Sequence, residues 1–200
     1  MMGSIDAETL KFYTREAEAY CAQPLPAKNE RLDLFLAALP AGAKILELGC
    51  GGGHHSRMML ARGFDVTPTD GSPDMARQAE KLLGRPVAVL PFDQLDANGI
   101  YDAVWANACL LHIPRPELSA VLSRIHRALK AGGIFYASFK AGKSEGRDRF
   151  QRYYNYPSRD WLLSQYAPPG WTSLLIDEAS GGGYDGEKTD WLHVTAIRTA

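Results

Sequence analysis

The chain contains few cysteines, no long apolar run and no basic leader. Its three cysteines, Cys21, Cys50 and Cys109, are odd in number and far apart among 200 residues. Such a set fits reduced thiols better than a disulfide framework, so we expect a cytoplasmic protein. No apolar stretch reaches the roughly 18 residues that span a bilayer, and no basic segment leads into an apolar run. We therefore expect neither a membrane partner nor a signal peptide.

The chain also lacks an excess of charge of one sign. Its formal net charge is −1 at pH 7 and its pI is about 6.5. Proteins that bind nucleic acid or anionic membranes through electrostatics are usually basic, so neither partner is indicated. There is no internal repeat, and 200 residues correspond to one domain. We expect a single domain that is a monomer or a homodimer.

The most informative stretch covers residues 44–70 and reads KILELGCGGGHHSRMMLARGFDVTPTD. A short apolar strand runs into a series of glycines, and a helix follows from His54. Glycine permits positive φ and lets backbone N–H groups approach a ligand. A second strand leads to Asp70, 21 residues after Gly49, which is the spacing of a ribose-binding carboxylate in nucleotide-binding folds. A glycine-rich turn with an unrelated acid is the alternative.

Helical and strand patterns alternate along the rest of the chain. Helices are predicted over residues 8–21, 29–39, 54–62, 73–83, 116–129 and 158–166, with breaks at Pro24, Pro26, Pro168 and Pro169. Strands are predicted over residues 45–48, 64–66, 87–90, 101–105, 134–139, 171–176 and 191–197. This order predicts an α/β fold with a mostly parallel sheet and helices on both faces. The last two strands have no helix between them, so we expect them to be antiparallel neighbours.

Three connections are assigned from composition. Residues 130–133 are expected to close the fifth helix, and residues 141–149, AGKSEGRDR, to form a mobile loop that orders over a bound acceptor. The glycines between residues 181 and 186 are expected to form a flexible connection before the last strand.

The glycine series does not match two common nucleotide motifs. A dinucleotide fingerprint requires a third glycine where this chain has His54, and a phosphate-binding loop requires Lys followed by Ser or Thr. Glu47 lies just before the glycines, where it would repel a pyrophosphate but attract an ammonium or a sulfonium. The alternative is that Glu47 is a surface charge at the end of a strand.

Five segments between residues 44 and 140 carry a further pattern. They read ELGCGGG, TDGSPDM, LPFDQL, YDAVWANACLLHIPRPEL and RALKAGGIFYASFK. In this order they resemble the glycine loop, the ribose segment, the adenine segment, the fourth strand and the approach to the fifth strand of class I S-adenosylmethionine-dependent methyltransferases. WANACLLHIPR, YASFK and the short tail are most similar to small single-domain members, including some related to tellurite-resistance methyltransferases.

The resemblance implies a Rossmann-like three-layer sandwich whose seven-stranded sheet is mostly parallel, with an antiparallel strand near the C-terminus. It implies N-terminal helices over residues 1–42 as a cap or lid, a cofactor-binding core over 43–140, and a closing helix and strands over 141–200. It also implies an enzyme that transfers a methyl group from S-adenosyl-L-methionine to a small-molecule acceptor by in-line displacement, leaving S-adenosyl-L-homocysteine. A cofactor-binding regulatory protein without turnover and an NAD-type oxidoreductase stay open as alternatives.

The resemblance also assigns the residues that bind the methyl donor. Glu47 is expected to face its ammonium group, and Asp70 to accept hydrogen bonds from both ribose hydroxyls. Asp93 is expected to accept from the adenine amino group, or else to be an ordinary turn residue. The other expected donor-site residues are Gly49, Cys50, Gly51, Gly52, Gly53, Gly71, Ser72, Met75, Phe92, Gln94, Leu95, Asn107 and Ala108.

The acceptor site is expected among residues outside these segments. Tyr13, Tyr20, Tyr153 and Tyr154 are candidate substrate-binding residues. His112 follows the fourth strand, beside the expected site of methyl transfer, and is the candidate catalytic residue. A hydrogen-bonded structural histidine is the alternative for His112.

Other charged and histidine residues have weaker assignments. Arg147, Arg149 and Arg152 could meet an anionic acceptor, or they could be solvated charges on the loop. His54 and His55 would point about 100° apart on a helix, so they cannot chelate one ion together. We predict no metal site.

Overall fold

The computed structural model describes residues 5–23, 28–167, 170–184 and 186–199, so the breaks predicted at Pro24, Pro26, Pro168 and Pro169 lie outside the described residues. The helices are α1 (Ala7–Cys21), α2 (Glu30–Ala37), α3 (His54–Ala61), α4 (Pro73–Leu83), α5 (Arg115–Ala128) and α6 (Arg159–Gln165). The strands are β1 (Lys44–Leu48), β2 (Asp65–Asp70), β3 (Ala88–Val89), β4 (Tyr101–Ala106), β5 (Leu129–Lys140), β6 (Gly146–Arg147), β7 (Tyr153–Tyr154), β8 (Trp171–Gly182) and β9 (Lys188–Arg198).

Seven of these strands form one sheet in the order β3-β2-β1-β4-β5-β9-β8. Strands β3, β2, β1, β4 and β5 are parallel, and β9 runs antiparallel to both β5 and β8. This confirms the predicted α/β class, the mostly parallel sheet and the antiparallel pairing of the last two strands. The order reverses between β1 and β4, and the crevice at such a reversal is where open α/β sheets bind ligands.

Successive side chains of the central strands point to opposite faces of the sheet, and helices cover both faces. On one face, Ile45 and Trp105 pack with Met59 of α3 and with residues of α2. On the other face, Leu46 and Val104 pack against α5. Because β1 and β4 are buried on both sides, their backbones are rigid supports for the loops that follow them.

Two predicted connections differ from the structure. Helix α5 ends at Ala128, and β5 begins at Leu129 because Leu129 pairs with Tyr101 across a register shift. Residues 130–133 therefore belong to the strand. Strands β8 and β9 are longer than predicted, since their pairing continues as far as Gly182 opposite Lys188. Glycines 181 and 182 are thus in a strand, and the connection is shorter than predicted.

The segment over residues 141–149 is held by specific contacts. Within it, β6 pairs with β7 as a small two-stranded sheet. Arg147 also donates to both carboxylate oxygens of Asp6, at 2.6 and 2.9 Å. These contacts tie the segment to the N-terminal end of α1.

Among the residues that the structure describes, no helix is long and apolar enough to cross a membrane.

Candidate active site

A cavity of about 510 Å³ lies at the carboxyl ends of β1, β2, β4 and β5. Its position coincides with the reversal of strand order between β1 and β4. Helix α1 lies across it and contributes Thr9, Leu10, Tyr13, Tyr20 and Cys21 to the lining. The cavity is therefore bounded by the strand ends and by an N-terminal helix.

The glycine loop after β1 can take its path only with glycine at its first position. Gly49 has a φ of 62°, and a Cβ there would lie 2.4 Å from the Cβ of Cys109. Cys109 is itself fixed, since its Sγ donates to the Leu48 carbonyl at 3.2 Å. A side chain at position 49 would thus push the loop away from the turn after β4.

Asp70 joins the glycine loop to the start of α4. Its Oδ2 accepts from the Gly51 backbone N–H at 2.9 Å, and its Oδ1 accepts from the Ser72 N–H at 2.8 Å. Burial raises the pKa of this carboxyl group to about 6. Each carboxylate oxygen has a second lone pair, so Asp70 can still accept bonds from a ligand that carries two hydroxyls.

Glu47 is buried at the end of β1, with an exposed fraction of 2%. It lines the cavity, and its carboxyl group accepts from the Ser56 hydroxyl. Burial raises its pKa to about 8, while burial lowers the pKa of the neighbouring His55 to about 4. The interpretation of Glu47 as a surface charge is wrong. A cation bound in the cavity would favour the ionised form of Glu47.

His112 is held between a backbone carbonyl and a tyrosine. Its Nδ1 lies 2.6 Å from the Tyr153 carbonyl oxygen, and its Nε2 lies 2.9 Å from the Tyr13 hydroxyl. The carbonyl can only accept, so Nδ1 carries the proton and Nε2 accepts from Tyr13. Burial lowers the pKa of His112 to about 4 and raises the pKa of Tyr13 well above its ordinary value. Both side chains of the pair are therefore neutral near pH 7, and the Tyr13 hydroxyl donates its proton to the hydrogen bond with Nε2.

Arg152 is a buried cation in the cavity wall, with an exposed fraction of 1%. It donates to the Asp148 carboxylate from Nη2 at 2.7 Å and from Nε at 2.9 Å. The interpretation of Arg152 as a solvated charge is wrong. Its guanidinium contacts four aromatic rings, those of Phe12, Phe150, Tyr154 and Tyr184.

The other two arginines of this segment do not line the cavity. Arg147 forms the ion pair with Asp6, and the guanidinium of Arg149 lies over the Phe150 ring, 4.8 Å from its centroid. Neither is therefore placed to meet a ligand inside the cavity.

Tyr184 and Lys140 are among the cavity residues that the sequence did not predict. Tyr184 lies in the connection between β8 and β9 and stacks on Tyr20 with ring centroids 4.7 Å apart. Lys140 is the last residue of β5 and also lines the cavity. Lys140 could have been found from its place at the carboxyl end of a parallel strand, whereas nothing in the pattern around Tyr184 indicates its partner.

The structure brings most of the expected donor-site residues to one cavity. Those that line it are Glu47, Gly49, Cys50, Gly51, Gly52, Asp70, Gly71, Ser72, Met75, Phe92, Asn107 and Ala108. Gly53 instead precedes α3 as its N-cap, and Leu95 is buried in the core. Asp93 and Gln94 are exposed on a 3₁₀ turn. The roles of all these residues toward a donor stay predictions.

The expected acceptor-site residues are placed similarly. Tyr13, Tyr20, Tyr154 and His112 line the cavity. Tyr153 does not line it, but its carbonyl fixes His112. Among the residues that the structure describes, no three His, Cys, Asp or Glu side chains are grouped as metal ligands.

Known proteins resemble this chain in both sequence and fold. Residues 45–133 match the family model described as a methyltransferase domain. The chain is 36% identical over 125 residues to the ubiquinone biosynthesis O-methyltransferase of Xanthomonas oryzae pv. oryzae, an alignment that covers 58% of this chain and 52% of that protein. The chain thus contains a methyltransferase domain and resembles the class I S-adenosylmethionine-dependent methyltransferases in sequence and fold. It spans about half the length of the curated relatives it matches.

The structures of solved methyltransferases superpose on nearly all of the chain. The 1,6-didemethyltoxoflavin-N1-methyltransferase of Burkholderia thailandensis, solved with 1,6-didemethyltoxoflavin and S-adenosylhomocysteine, has a TM-score of 0.73 and 21% identity. The superposition covers 97% of this chain and 88% of that one. The magnesium protoporphyrin IX methyltransferase of Synechocystis, solved with bound S-adenosylmethionine, has a TM-score of 0.68 and 18% identity over all of both chains. At these identities the likeness concerns the fold. The relation to tellurite-resistance methyltransferases stays a prediction.

Proposed function

We propose that this methyltransferase transfers the methyl group of S-adenosyl-L-methionine to a small-molecule acceptor and releases S-adenosyl-L-homocysteine. The observation that carries the proposal is one cavity that has the carboxyl groups of Glu47 and Asp70 at one end and a neutral tyrosine–histidine pair at the other. The match of residues 45–133 to a methyltransferase domain supports the same conclusion.

The donor end of the cavity fits the proposed cosubstrate. Asp70 would accept from the ribose hydroxyls, while Glu47 would meet the ammonium group. Gly49, Gly51 and Gly52 line the cavity without side chains, which would let the loop backbone approach the methionine part of the donor. When bound, the donor would supply an activated methyl group on a sulfonium.

The Tyr13–His112 pair gives a route for the proton of a hydroxyl or ammonium acceptor. The acceptor's proton would pass to the Tyr13 oxygen as the Tyr13 proton moves to Nε2 of His112. His112 is neutral at physiological pH, so its Nε2 lone pair is already available, and the Tyr153 carbonyl fixes the tautomer. The protein otherwise contributes alignment, which can supply several kcal/mol to such a displacement.

We also propose that α1 serves as a lid over this site in a cytoplasmic enzyme. Its N-terminal end is tied to the segment before β7 by the Asp6–Arg147 ion pair, and Thr9 Oγ1 accepts from the Tyr153 N–H at 2.7 Å. These contacts join the lid to the residues that fix His112.

Calorimetric titration with S-adenosylmethionine and with NAD tests the donor site. We expect binding of S-adenosylmethionine, weakened in Asp70→Ala by about 1–3 kcal/mol because the ribose hydroxyls lose their acceptor. Asp65→Ala, which removes an exposed carboxylate from the other end of β2, is the matched control. Binding of NAD alone would instead favour an oxidoreductase, and unaltered affinity in Asp70→Ala would contradict the ribose site.

Release of S-adenosylhomocysteine tests turnover. The panel of acceptors should contain thiols, oxyanions, amines, phenols and carboxylates. Product with at least one class is expected. Tight donor binding without product over the whole panel would favour a regulatory protein that keeps the fold without catalysis.

A further inference from the structure

A buried serine of β5 is bonded to two residues of the turn after β4. Ser138 has an exposed fraction of 1%. Its Oγ accepts from the Ala108 backbone N–H at 2.8 Å and donates to the Asn107 Oδ1 at 3.0 Å. The regular pairing of β4 with β5 ends one position earlier, at Ala106 and Ala137. The serine hydroxyl therefore continues the connection between the two strands past the last backbone pair.

The turn that Ser138 holds has an uncommon backbone conformation. Ala108 has a φ of 52°, in the left-handed region that a residue with a Cβ rarely adopts. Such a conformation persists only where surrounding contacts hold it. Here Ser138 accepts from the Ala108 N–H, while the Cys109 Sγ donates to the Leu48 carbonyl at 3.2 Å. Contacts to β5 and β1 thus fix the turn from both sides.

These bonds leave one edge of the Asn107 amide for a ligand. Asn107 lines the cavity, and its Oδ1 is engaged by Ser138. Its Nδ2 has no hydrogen-bond partner among the residues that the structure describes, and it is not enclosed by protein. An amide nitrogen is a donor of two N–H groups and accepts no hydrogen bond. The free edge is therefore suited to an oxygen of a ligand and not to an ammonium group.

The acids of the cavity indicate which ligand oxygen this is. Glu47, proposed to meet the donor's ammonium, pairs with Trp105 across β1 and β4, two positions before Asn107. An amino acid carries its ammonium and its carboxylate on one carbon, so the carboxylate would lie close to Glu47. Asp70 ends β2 on the other side of β1 and would repel a carboxylate there. The carboxylate is thereby directed toward β4 and Asn107.

We propose that the Asn107 Nδ2 donates to the carboxylate of the methyl donor, and that Ser138 is the positioning residue that orients this amide. The inference rests on the proposed function, because it assigns a contact to another part of the same donor. Hydrogen bonds to a charged group are stronger than those between neutral groups, so the contact adds to donor affinity. Ser138 acts through Asn107, since it does not itself line the cavity.

Two matched ligands test the carboxylate contact. S-adenosylhomocysteine carries the carboxylate, whereas S-adenosyl-3-thiopropylamine lacks it and keeps the ammonium group. Both are titrated by calorimetry into the full chain and into Asn107→Leu, which keeps the branched shape of asparagine without its polar atoms. We expect the substitution to weaken S-adenosylhomocysteine about 10-fold and the decarboxylated ligand less than about twofold. Equal losses for the two ligands, or no loss for either, would overturn the proposal.

Substitutions of Ser138 test the positioning role. Ser138→Ala should weaken S-adenosylhomocysteine about threefold or more, and Ser138→Thr, which keeps a hydroxyl, should restore the affinity. In the Asn107→Leu background Ser138→Ala should have little further effect, because no amide is left to orient. An equal effect in both backgrounds would overturn the positioning role. Ser123→Ala, which removes an exposed hydroxyl from α5, is the control.

The two ligands also separate this inference from the proposed function. Binding of S-adenosylhomocysteine to the wild type, with equal losses for both ligands in Asn107→Leu, rejects the carboxylate contact alone. Failure of both ligands to bind the wild type rejects the proposed methyl donor, and the contact with it. Thermal unfolding of each variant measures its stability separately from its affinity.

Discussion

Glu47 should make donor binding depend on pH near neutrality. In the free protein its carboxyl group is buried beside Ser56 and has a pKa of about 8, so it is mostly protonated at pH 7. A bound ammonium group would favour the carboxylate. Binding of S-adenosylhomocysteine should therefore release a proton from Glu47, and affinity should rise as the pH rises toward 8.

The size of the effect follows from the pKa. Ionising a group whose pKa is about 8 costs about 1.4 kcal/mol at pH 7 but only about 0.4 kcal/mol at pH 8. The dissociation constant should then fall roughly fivefold between these two pH values. Glu47→Gln keeps a polar side chain beside Ser56 but cannot ionise, so this part of the pH dependence should vanish.

Calorimetry measures both consequences. Titrations with S-adenosylhomocysteine between pH 6.5 and 8, in buffers of different ionisation enthalpy, report the affinity and the number of protons released. Glu18→Gln, which neutralises an exposed carboxylate on α1, controls for a general charge effect. The reasoning is refuted if wild type and Glu47→Gln show the same pH slope, or if neither releases a proton.

Three further predictions concern the loop, the proton route and the lid. Gly49→Ala should lower the free energy of unfolding by about 2–4 kcal/mol, because the residue has positive φ and its new Cβ would lie 2.4 Å from the Cys109 Cβ. Gly63→Ala is the control, since Gly63 also has a positive φ of 83° but has open space around it, so only the backbone strain should remain. Urea denaturation measures both variants. Tyr13→Phe should slow methyl transfer about 10- to 100-fold with little change in affinity for S-adenosylhomocysteine, and an unchanged rate would remove the pair from the mechanism. Asp6→Asn should loosen the lid by breaking the ion pair with Arg147, so amide exchange over residues 7–21 should accelerate; unchanged exchange would show that other contacts hold α1.

The neighbourhood of the glycine loop and Asp70 in the cavity was largely predictable from local sequence. The glycine series and Asp70 flank one strand–helix–strand unit, so their neighbourhood follows from the fold of about 27 residues. The exceptions are local as well. On the 3₁₀ turn at residues 92–94, a shift of one or two positions decides which side chain faces the cavity, and Asp93 and Gln94 do not line it.

The acceptor end could not be predicted in the same way because its contacts join distant segments. The Tyr13–His112 bond spans 99 positions, and the stack of Tyr20 on Tyr184 joins the first helix to the last connection. No periodicity encodes such pairs. Arg152 illustrates the limit, since a charged residue just after a run of small and charged residues is expected to be solvated, yet its guanidinium is enclosed by four aromatic rings.

The enclosure of the cavity has a consequence for how this protein can evolve. The Tyr20–Tyr184 stack belongs to α1 and to the connection after β8, and neither segment is part of the strand–helix–strand unit that carries the glycine loop and Asp70. Substitutions in these outer segments can reshape one half of the chamber while the other half keeps its hydrogen bonds. New acceptors could then be acquired step by step, without an intermediate that loses the proposed methyl donor.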